Sequence, residues 1–433
     1  MEFKFKISNG IRNVYWPIVA IIIVKEFVSP EVFFAINLAW LLYVMVISGK
    51  LIWLPIWGYG ILVLYLLWGS LMALTGDVKT VDFVRDFFYY TNPLVFLLSG
   101  AYFAKIGIGK TKYFNSLILG SAILVIMYLV GLAFGRTEMI ITGHLWIPMA
   151  LLLLNRFDDG ESFSRPVRII LIVLFIFPLV ISFSRVSIVF ILAITLVSLT
   201  DRISVYGVFK MIIVALCLIA IGVMLYNTAL PSKKKKEYDN KIEKTLNEAN
   251  PNQDWDDEAV VTDNWRGYEL HRVMIEFRKG NAIQELFGYG FGKKVYVGRY
   301  AYYLLDIYEE NGKGSLYIPV THNGYANMLM KTGLIGMLLL IFFYINLIVK
   351  SIKFARKYNK WEGRLLAGII VGLIFMTYIL NGMYKDVCYY EMVTTIGYLG
   401  YRLKYYDPEE DEENETNEEV KDENQVQRNI KQL

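Results

Sequence analysis

The sequence has little charge, two cysteines and three histidines, and each shortage excludes a class of protein. Charged residues make up 19% of the 433 residues and apolar residues 55%, whereas soluble domains are about 25% charged. A soluble protein is therefore excluded. The two cysteines, Cys217 and Cys388, lie in or beside apolar segments and exclude a disulfide framework. The few histidines and cysteines show no metal-ligand spacing, so we expect neither a metal nor a cofactor.

Long apolar runs recur along the whole chain. Each is close to the roughly 20 residues that a helix needs to cross a ~30 Å hydrocarbon core. Twelve candidate spans lie near residues 14–28, 32–48, 51–74, 83–104, 115–134, 138–154, 167–183, 186–200, 206–228, 333–350, 364–381 and 386–402. The pattern predicts an all-α integral membrane protein with about 12 transmembrane helices, surrounded by membrane lipids.

The basic residues of the short loops set the predicted orientation, because cytoplasmic loops carry an excess of Lys and Arg. With the N-terminus inside, the cytoplasmic loops are rich in basic residues, including Lys105, Lys110, Arg165, Lys353 and Arg402. The short external loops hold only Lys79, Arg136 and Lys385. We therefore expect a multi-pass protein of the cytoplasmic membrane with both termini in the cytoplasm. Since the basic residues belong to loops, the net charge of +4 indicates no nucleic-acid partner.

These spans divide the chain into four parts. Residues 1–228 hold transmembrane helices 1–9, 229–332 form one large external loop with helices, 333–404 hold helices 10–12, and 405–433 form an acidic cytoplasmic tail that we expect to be disordered.

Within the loop, apolar spacing predicts one or two helices over residues 264–287. Gly288, Gly290 and Gly292 then predict a tight turn. Residues 322–332 are expected to form an interfacial amphipathic helix that Gly333 separates from span ten, and Lys331 on this helix would reach water.

Three residues on the predicted external face are candidates for chemistry. His322 lies near the outer interface, where an imidazole could take a proton from a sugar hydroxyl or simply bond to the backbone. Arg185 lies at a helix mouth among apolar neighbours with no acid close in sequence, which favours an anionic ligand over a snorkelling side chain. Arg266 could be solvated, but two guanidinium groups on one face suit a diphosphate. They would neutralise such a leaving group without a metal. We expect the three residues to meet.

Other polar residues carry weaker signals. Asn323 and His271 are candidate supporting residues, since Asn323 follows His322 and His271 lies about one and a half helical turns after Arg266. His144 is predicted to be packed and hydrogen-bonded inside span six. Asp254-Trp255-Asp256 has the D-x-D form of metal sites in nucleotide-sugar transferases. We interpret it as a solvated charge run, because nucleotide sugars are cytoplasmic and this segment is predicted to be external.

Taken together, the motifs resemble the O-antigen ligase and O-antigen polymerase superfamily. The likeness covers roughly residues 180–350 and rests on S-F-S-R at a helix mouth, an arginine before L-F-G-Y-G-F-G, and H-N-G-Y-A-N-M-L-M-K-T-G-L-I-G opening a span. The large loop between spans nine and ten agrees with it, although residues 232–262 match no family pattern.

The resemblance implies an integral-membrane glycosyltransferase with a GT-C-like multi-helix fold. Its donor would be a glycan on a polyprenyl (undecaprenyl) diphosphate, and its acceptor a glycan or a lipid core, with no metal or nucleotide required. It implies that Arg185 and Arg266 bind the diphosphate and that His322 activates the acceptor hydroxyl. The expected role is in surface polysaccharide or lipopolysaccharide biosynthesis.

Several functions share these features. The single dominant loop favours a ligase-like organisation, but the same motifs would serve a repeat-unit polymerase. A transporter or flippase of lipid-linked sugars is a second alternative, although the chain shows no paired halves and its candidate site is at the outer surface rather than at the midplane. A non-catalytic scaffold is a third alternative, which the three candidate residues disfavour.

The predicted orientation is testable by cysteine labelling. In a background without Cys217 and Cys388, Thr245→Cys should react with an impermeant maleimide on intact cells, because residues 229–332 are expected outside. Lys357→Cys, in a predicted cytoplasmic loop, is the control and should react only after lysis. Labelling at 245 that also requires lysis would overturn the orientation and the external site with it.

Overall fold

A computed structural model of the protein describes residues 13–49, 51–76, 78–135, 142–154, 163–182, 184–200, 253–300, 316–384 and 389–409. Eleven of the helices in these ranges are α1 (Trp16–Val24), α2 (Pro30–Ser48), α3 (Tyr59–Ala73), α4 (Thr80–Lys105), α5 (Lys110–Ala133), α6 (Trp146–Leu154), α7 (Arg165–Ser182), α8 (Arg185–Leu199), α12 (Gly324–Tyr358), α13 (Trp361–Leu380) and α14 (Tyr390–Lys404). The segment between α8 and α12 contains α9 (Glu258–Asp263), α10 (Trp265–Arg278), α11 (Ala282–Phe287), β1 (Val295–Tyr296) and β2 (Tyr317–Ile318).

The helices of the bundle follow the predicted spans. A helix occupies each predicted span except 206–228, which lies outside the described residues. Five of the described helices, α2, α5, α7, α12 and α13, are long and apolar enough to cross a membrane. The number of twelve spans and the external position of the loop stay predictions.

Local sequence signals explain where the helices begin and end. For α2, the Ser29 side chain accepts a bond from the backbone N–H of Val32, Pro30 is the first helical residue, and Gly49 (φ 64°) ends the helix. Serine satisfies a free N–H at the start, while proline and glycine suit the first helical position and the residue after the last turn.

Small residues allow the bundle helices to approach closely. Gly397 of α14 lies against the backbone of Leu97 in α4, and Gly100 of α4 lies against the backbone of Thr394 in α14. A side chain at either glycine would collide with a main-chain carbonyl, so the two backbones are in direct contact. Such close packing is a main source of helix association in membranes, where no hydrophobic effect draws helices together.

The segment between α8 and α12 has an apolar core of its own. This core joins α9, α10, the hairpin and the start of α12, and its buried members include Val261, Val273, Val297, Ile318 and Met330. In the hairpin Val295 pairs with Ile318 and Tyr296 with Tyr317. The helices predicted over 264–287 are confirmed as α10 and α11; the hairpin was not predicted, because two residues per strand are too few to show an alternating pattern.

The glycine-rich turn after α11 completes a broken helix. Gly333 has non-helical angles (φ 69°, ψ −171°) inside α12, which interrupts the bonds that the preceding carbonyls make within a helix. The backbone N–H groups of Tyr289 and Gly290 donate instead to the carbonyls of Met330 (2.8 Å) and Lys331 (3.0 Å). The predicted tight turn and the break at Gly333 are both confirmed. The N–H groups of the turn bond to the carbonyls that the break leaves without a partner within the helix.

Lys331 corrects one expectation from the sequence. Its side chain is 2% exposed, and its Nζ lies 2.5 Å from Oδ2 of Asp86 in α4. It also donates to the carbonyls of Lys293 and Pro319. The expectation that Lys331 reaches water is wrong, because the turn of helix around it is buried throughout. The charge is tolerated because a buried carboxylate from a distant helix neutralises it.

Replacing Gly290 should show how closely the glycine-rich turn packs against α3. Gly290 and Gly298 both have positive φ (82° and 64°), so alanine at either should cost about 1–2 kcal/mol in backbone strain. A Cβ at 290 would also collide with the backbone nitrogen of Ala73 in α3, whereas the nearest atom at 298 is 3.8 Å away. Gly290→Ala should therefore lower the melting temperature in detergent clearly more than Gly298→Ala. Equal shifts would mean that the turn does not depend on contact with α3.

Candidate active site

His322 is anchored by a carboxylate. It lies two residues before the start of α12, and its backbone N–H donates to Oε2 of Glu269 over 2.8 Å. Its ring Nδ1 lies 3.0 Å from both carboxylate oxygens of the same residue. The imidazole is 29% exposed and the carboxylate 2% exposed. One edge of the ring is thus held inside the protein, while part of the side chain stays accessible.

Glu269 is a functional candidate that the sequence interpretation missed. It lies in the second turn of α10, which is capped by Asn264. Trp265, one turn earlier, donates its Nε1–H to Oε1 of Glu269 over 2.6 Å. The signal that could have revealed it is spacing, since an acid three residues after Arg266 on a predicted helix must lie on a neighbouring face.

Arg266 is brought next to this pair. It precedes Glu269 by three residues on α10, a spacing that separates Cβ atoms by about 5–6 Å. Arg266 is half-buried, and it forms no ion pair with any described residue. The backbone of Arg266 therefore lies one helical turn from the residue whose carboxylate contacts His322.

Arg185 is the first residue of α8, which begins at the same end of the bundle as α12. Gly368 and Gly372 of α13 pack against Ile194 and Phe190 of α8, so the two helices run antiparallel. Continuing this register brings the backbone of Arg185 level with residue 377. A Cβ on Gly324 would lie 2.7 Å from the carbonyl oxygen at that same position. The start of α8 and the start of α12 thus share one end of α13, while the side chain of Arg185 lies outside the described residues.

The start of α8 is held by a hydrogen-bonded network. The Ser184 side chain caps the helix by accepting from the backbone N–H of Ser187 (3.3 Å) and from its hydroxyl (2.7 Å). The Ser187 oxygen in turn accepts the indole N–H of Trp146 over 2.7 Å. The S-F-S-R motif therefore supplies the cap that sets where α8 begins.

The two candidate supporting residues have other contacts. The Asn323 side chain caps α12 by accepting the backbone N–H of Ala326 over 3.0 Å. His271 lies two residues after Glu269, which puts it on the opposite side of α10, where its ring stacks on Trp255 at 5.4 Å. Burial, followed by the nearby charge of Arg272, lowers the pKa of His271. The structure does not bring His271 to His322.

His144 is packed and hydrogen-bonded, as predicted. Its ring contacts Glu391 at the start of α14 and Glu26 after α1, the latter at 2.7 Å. Lys25 completes the group at 3.5 Å from Glu391. These contacts join three distant parts of the chain, and they involve none of the residues around His322.

The acidic patch before α9 makes local bonds. The Asp254 side chain accepts the backbone N–H of Asp256 over 3.1 Å, and Asp257 caps α9. In the described part of the chain, no three His, Cys, Asp or Glu side chains are grouped so that they could hold a metal ion. Metal independence stays a prediction.

The site thus combines a cation, an imidazole and a buried acid in one polar stretch beside the bundle. Residues 170–341 match the family model described as O-antigen ligase. This part of the chain is similar to the O-antigen ligase family. No curated protein matches the chain.

The O-antigen ligase segment contains every residue of the candidate site. It begins in α7 and ends in α12 beyond Gly333, so it includes Arg185, Arg266, Glu269 and His322. The resemblance found over residues 180–350 is confirmed. With its long apolar helices, the chain is a multi-pass membrane protein, and the family match supports a function of the O-antigen ligase or polymerase type.

Proposed function

We propose that the protein is a glycosyltransferase that moves a glycan from a polyprenyl diphosphate to an acceptor hydroxyl on the outer side of the cytoplasmic membrane. One observation carries the proposal: within the O-antigen ligase segment, Glu269 contacts His322 and lies one helical turn from Arg266. A base and a permanent cation side by side are what transfer from an anionic leaving group needs.

The chemistry assigns one role to each group. The acceptor oxygen attacks the anomeric carbon of the donor sugar, and the bond from that carbon to the diphosphate oxygen breaks. The hydroxyl proton goes to His322, which acts as general base. The bonding electrons leave with the diphosphate, whose growing charge Arg266 and Arg185 neutralise through paired N–H donors. Two guanidinium groups would do here what a metal ion does in other transferases.

The same chemistry would serve either a ligase or a polymerase. A ligase transfers a finished glycan once to a lipid-core acceptor, whereas a polymerase adds repeat units to a growing glycan. The single large loop favours the ligase. Products separated by size decide between them, because a ligase gives one new species per donor length and a polymerase gives a ladder.

His322→Ala should abolish most transfer while leaving donor binding intact. General-base catalysis contributes about 10²–10⁴-fold, so the turnover rate should fall by this amount. The measurement is transfer from a polyprenyl-diphosphate glycan in liposomes, with donor affinity measured in parallel. His271→Ala is the matched control, since His271 is on the same segment but faces away, and it should transfer at nearly the wild-type rate. Near wild-type transfer by folded His322→Ala would refute the assigned chemistry.

Arginine-to-lysine substitutions should weaken donor binding despite keeping the charge. Lysine lacks the planar two-pronged donor, and a hydrogen bond to a charged group contributes about 1.5–3 kcal/mol, which corresponds to roughly 10- to 100-fold in affinity. Arg185→Lys and Arg266→Lys should each show this loss in donor titrations. Arg278→Lys, at the exposed end of α10, serves as the control. Donor affinity that is equal in all three variants would contradict a diphosphate site at these arginines.

A further inference from the structure

The contacts of Glu269 indicate a role that neither the sequence motifs nor the family match assigns. We propose that Glu269 is the positioning residue of His322: it keeps the proton on Nδ1 and so leaves Nε2 free to act on the acceptor, while Trp265 holds Glu269 in place. This inference rests on the proposed function, because it specifies how the base of that reaction is prepared.

The hydrogen bonds around Glu269 identify its charge state. An N–H group donates to each of its two oxygens, from the Trp265 indole at 2.6 Å and from the His322 backbone at 2.8 Å. An ionised carboxylate has no proton on either oxygen, so both oxygens can accept, whereas a protonated one also carries an O–H donor. This buried group is therefore an acceptor, and a third partner facing it has to be a donor.

That third partner is Nδ1 of His322, which lies 3.0 Å from each oxygen. Since the carboxylate only accepts, Nδ1 carries the hydrogen, and in a neutral imidazole the remaining lone pair is then on Nε2. A base needs its lone pair directed at the substrate hydroxyl. When the proton arrives, the buried carboxylate also stabilises the imidazolium that forms.

The same contacts fix the direction of the ring. Glu269 contacts both the backbone and the side chain of His322, and it lies in the second turn of a helix that Asn264 caps. Burying a carboxylate is costly unless it is paired, and Arg266 does not form an ion pair with it. The buried carboxylate is instead paired with the partly exposed imidazole of His322.

Glu269→Gln tests the inference in the full-length protein in lipid nanodiscs. Glutamine keeps the shape, but its amide can donate to Nδ1 and favour the wrong tautomer. By analogy with other histidine orienters, we expect kcat to fall about 10- to 1,000-fold, with little change in acceptor KM or donor affinity. Glu276→Gln is the control, because Glu276 lies seven residues later on the same face of α10 and pairs with the exposed Lys279. It should retain wild-type kcat.

Two further measurements distinguish a positioning role of Glu269 from a general loss of structure. If Glu269 acts through His322, the double variant with His322→Ala should be no slower than His322→Ala alone, because residues acting as a unit are not additive. Multiplied losses would overturn the inference.

Selectively ¹⁵N-labelled histidine gives a measurement that does not depend on activity. Because the chain has three histidines, single substitutions assign every signal. The Nδ1–H form of His322 should dominate in the wild type and decline in Glu269→Gln. An unchanged tautomer would overturn the inference.

Trp265→Phe extends the test if Glu269→Gln fails to fold. It removes the indole donor and leaves the carboxylate, so kcat should fall about 3- to 30-fold at constant donor affinity, by the loss of one hydrogen bond. Unchanged kcat would overturn the supporting role of Trp265. The proposed function fails on a different result, namely full transfer by His322→Ala. A slow Glu269→Gln or Trp265→Phe enzyme beside a fully active His322→Ala enzyme would refute both.

Discussion

The buried contact between Lys331 and Asp86 joins the two parts of this protein. Lys331 belongs to the first turns of α12, and Asp86 belongs to α4 in the bundle. Asp86 also accepts the backbone N–H of Gly292 over 2.6 Å, so one carboxylate binds the helix and the glycine-rich turn together. Removing the Asp86 carboxylate would leave the Lys331 charge buried without its ion-pair partner, which is costly. The pair therefore helps to hold the segment between α8 and α12 on the bundle.

The nine residues from Gly324 to Thr332 form a short helix that connects Lys331 to the candidate site. A helix of this length spans about 13 Å, with Lys331 near one end and His322 two residues before the other. Gly333 ends the segment, and the backbone of Tyr289 and Gly290 supplies the missing hydrogen bonds. Because both ends are fixed, His322 is held at a defined place relative to α10, where Glu269 meets it. The glycine motif is therefore structural, and its contribution to chemistry is indirect.

The electrostatic arrangement suits transfer of a glycan from a diphosphate. Arg266 has no acidic partner among the described residues, while the acid beside it is occupied by Trp265 and His322. A cation that no side chain neutralises can bind an anionic ligand, and an imidazole held by a carboxylate can accept a proton. By contrast, the buried group formed by Lys25, Glu26, His144 and Glu391 satisfies itself and ties three distant helix ends together.

The sequence by itself determined the helical membrane class, the break at Gly333 and the tight turn at Gly288–Gly292, and it identified Arg266 and His322 as candidate site residues. Each follows from a local pattern: length of an apolar run, positive φ at glycine, or residue types within a short polar stretch. Glu269 and Asp86 were decided only by the tertiary structure. Asp86 is 245 residues from Lys331, and Glu269 is 53 residues from His322. Pairing over such distances depends on how helices pack, and packing depends on side chains from several segments at once, so no local pattern records it.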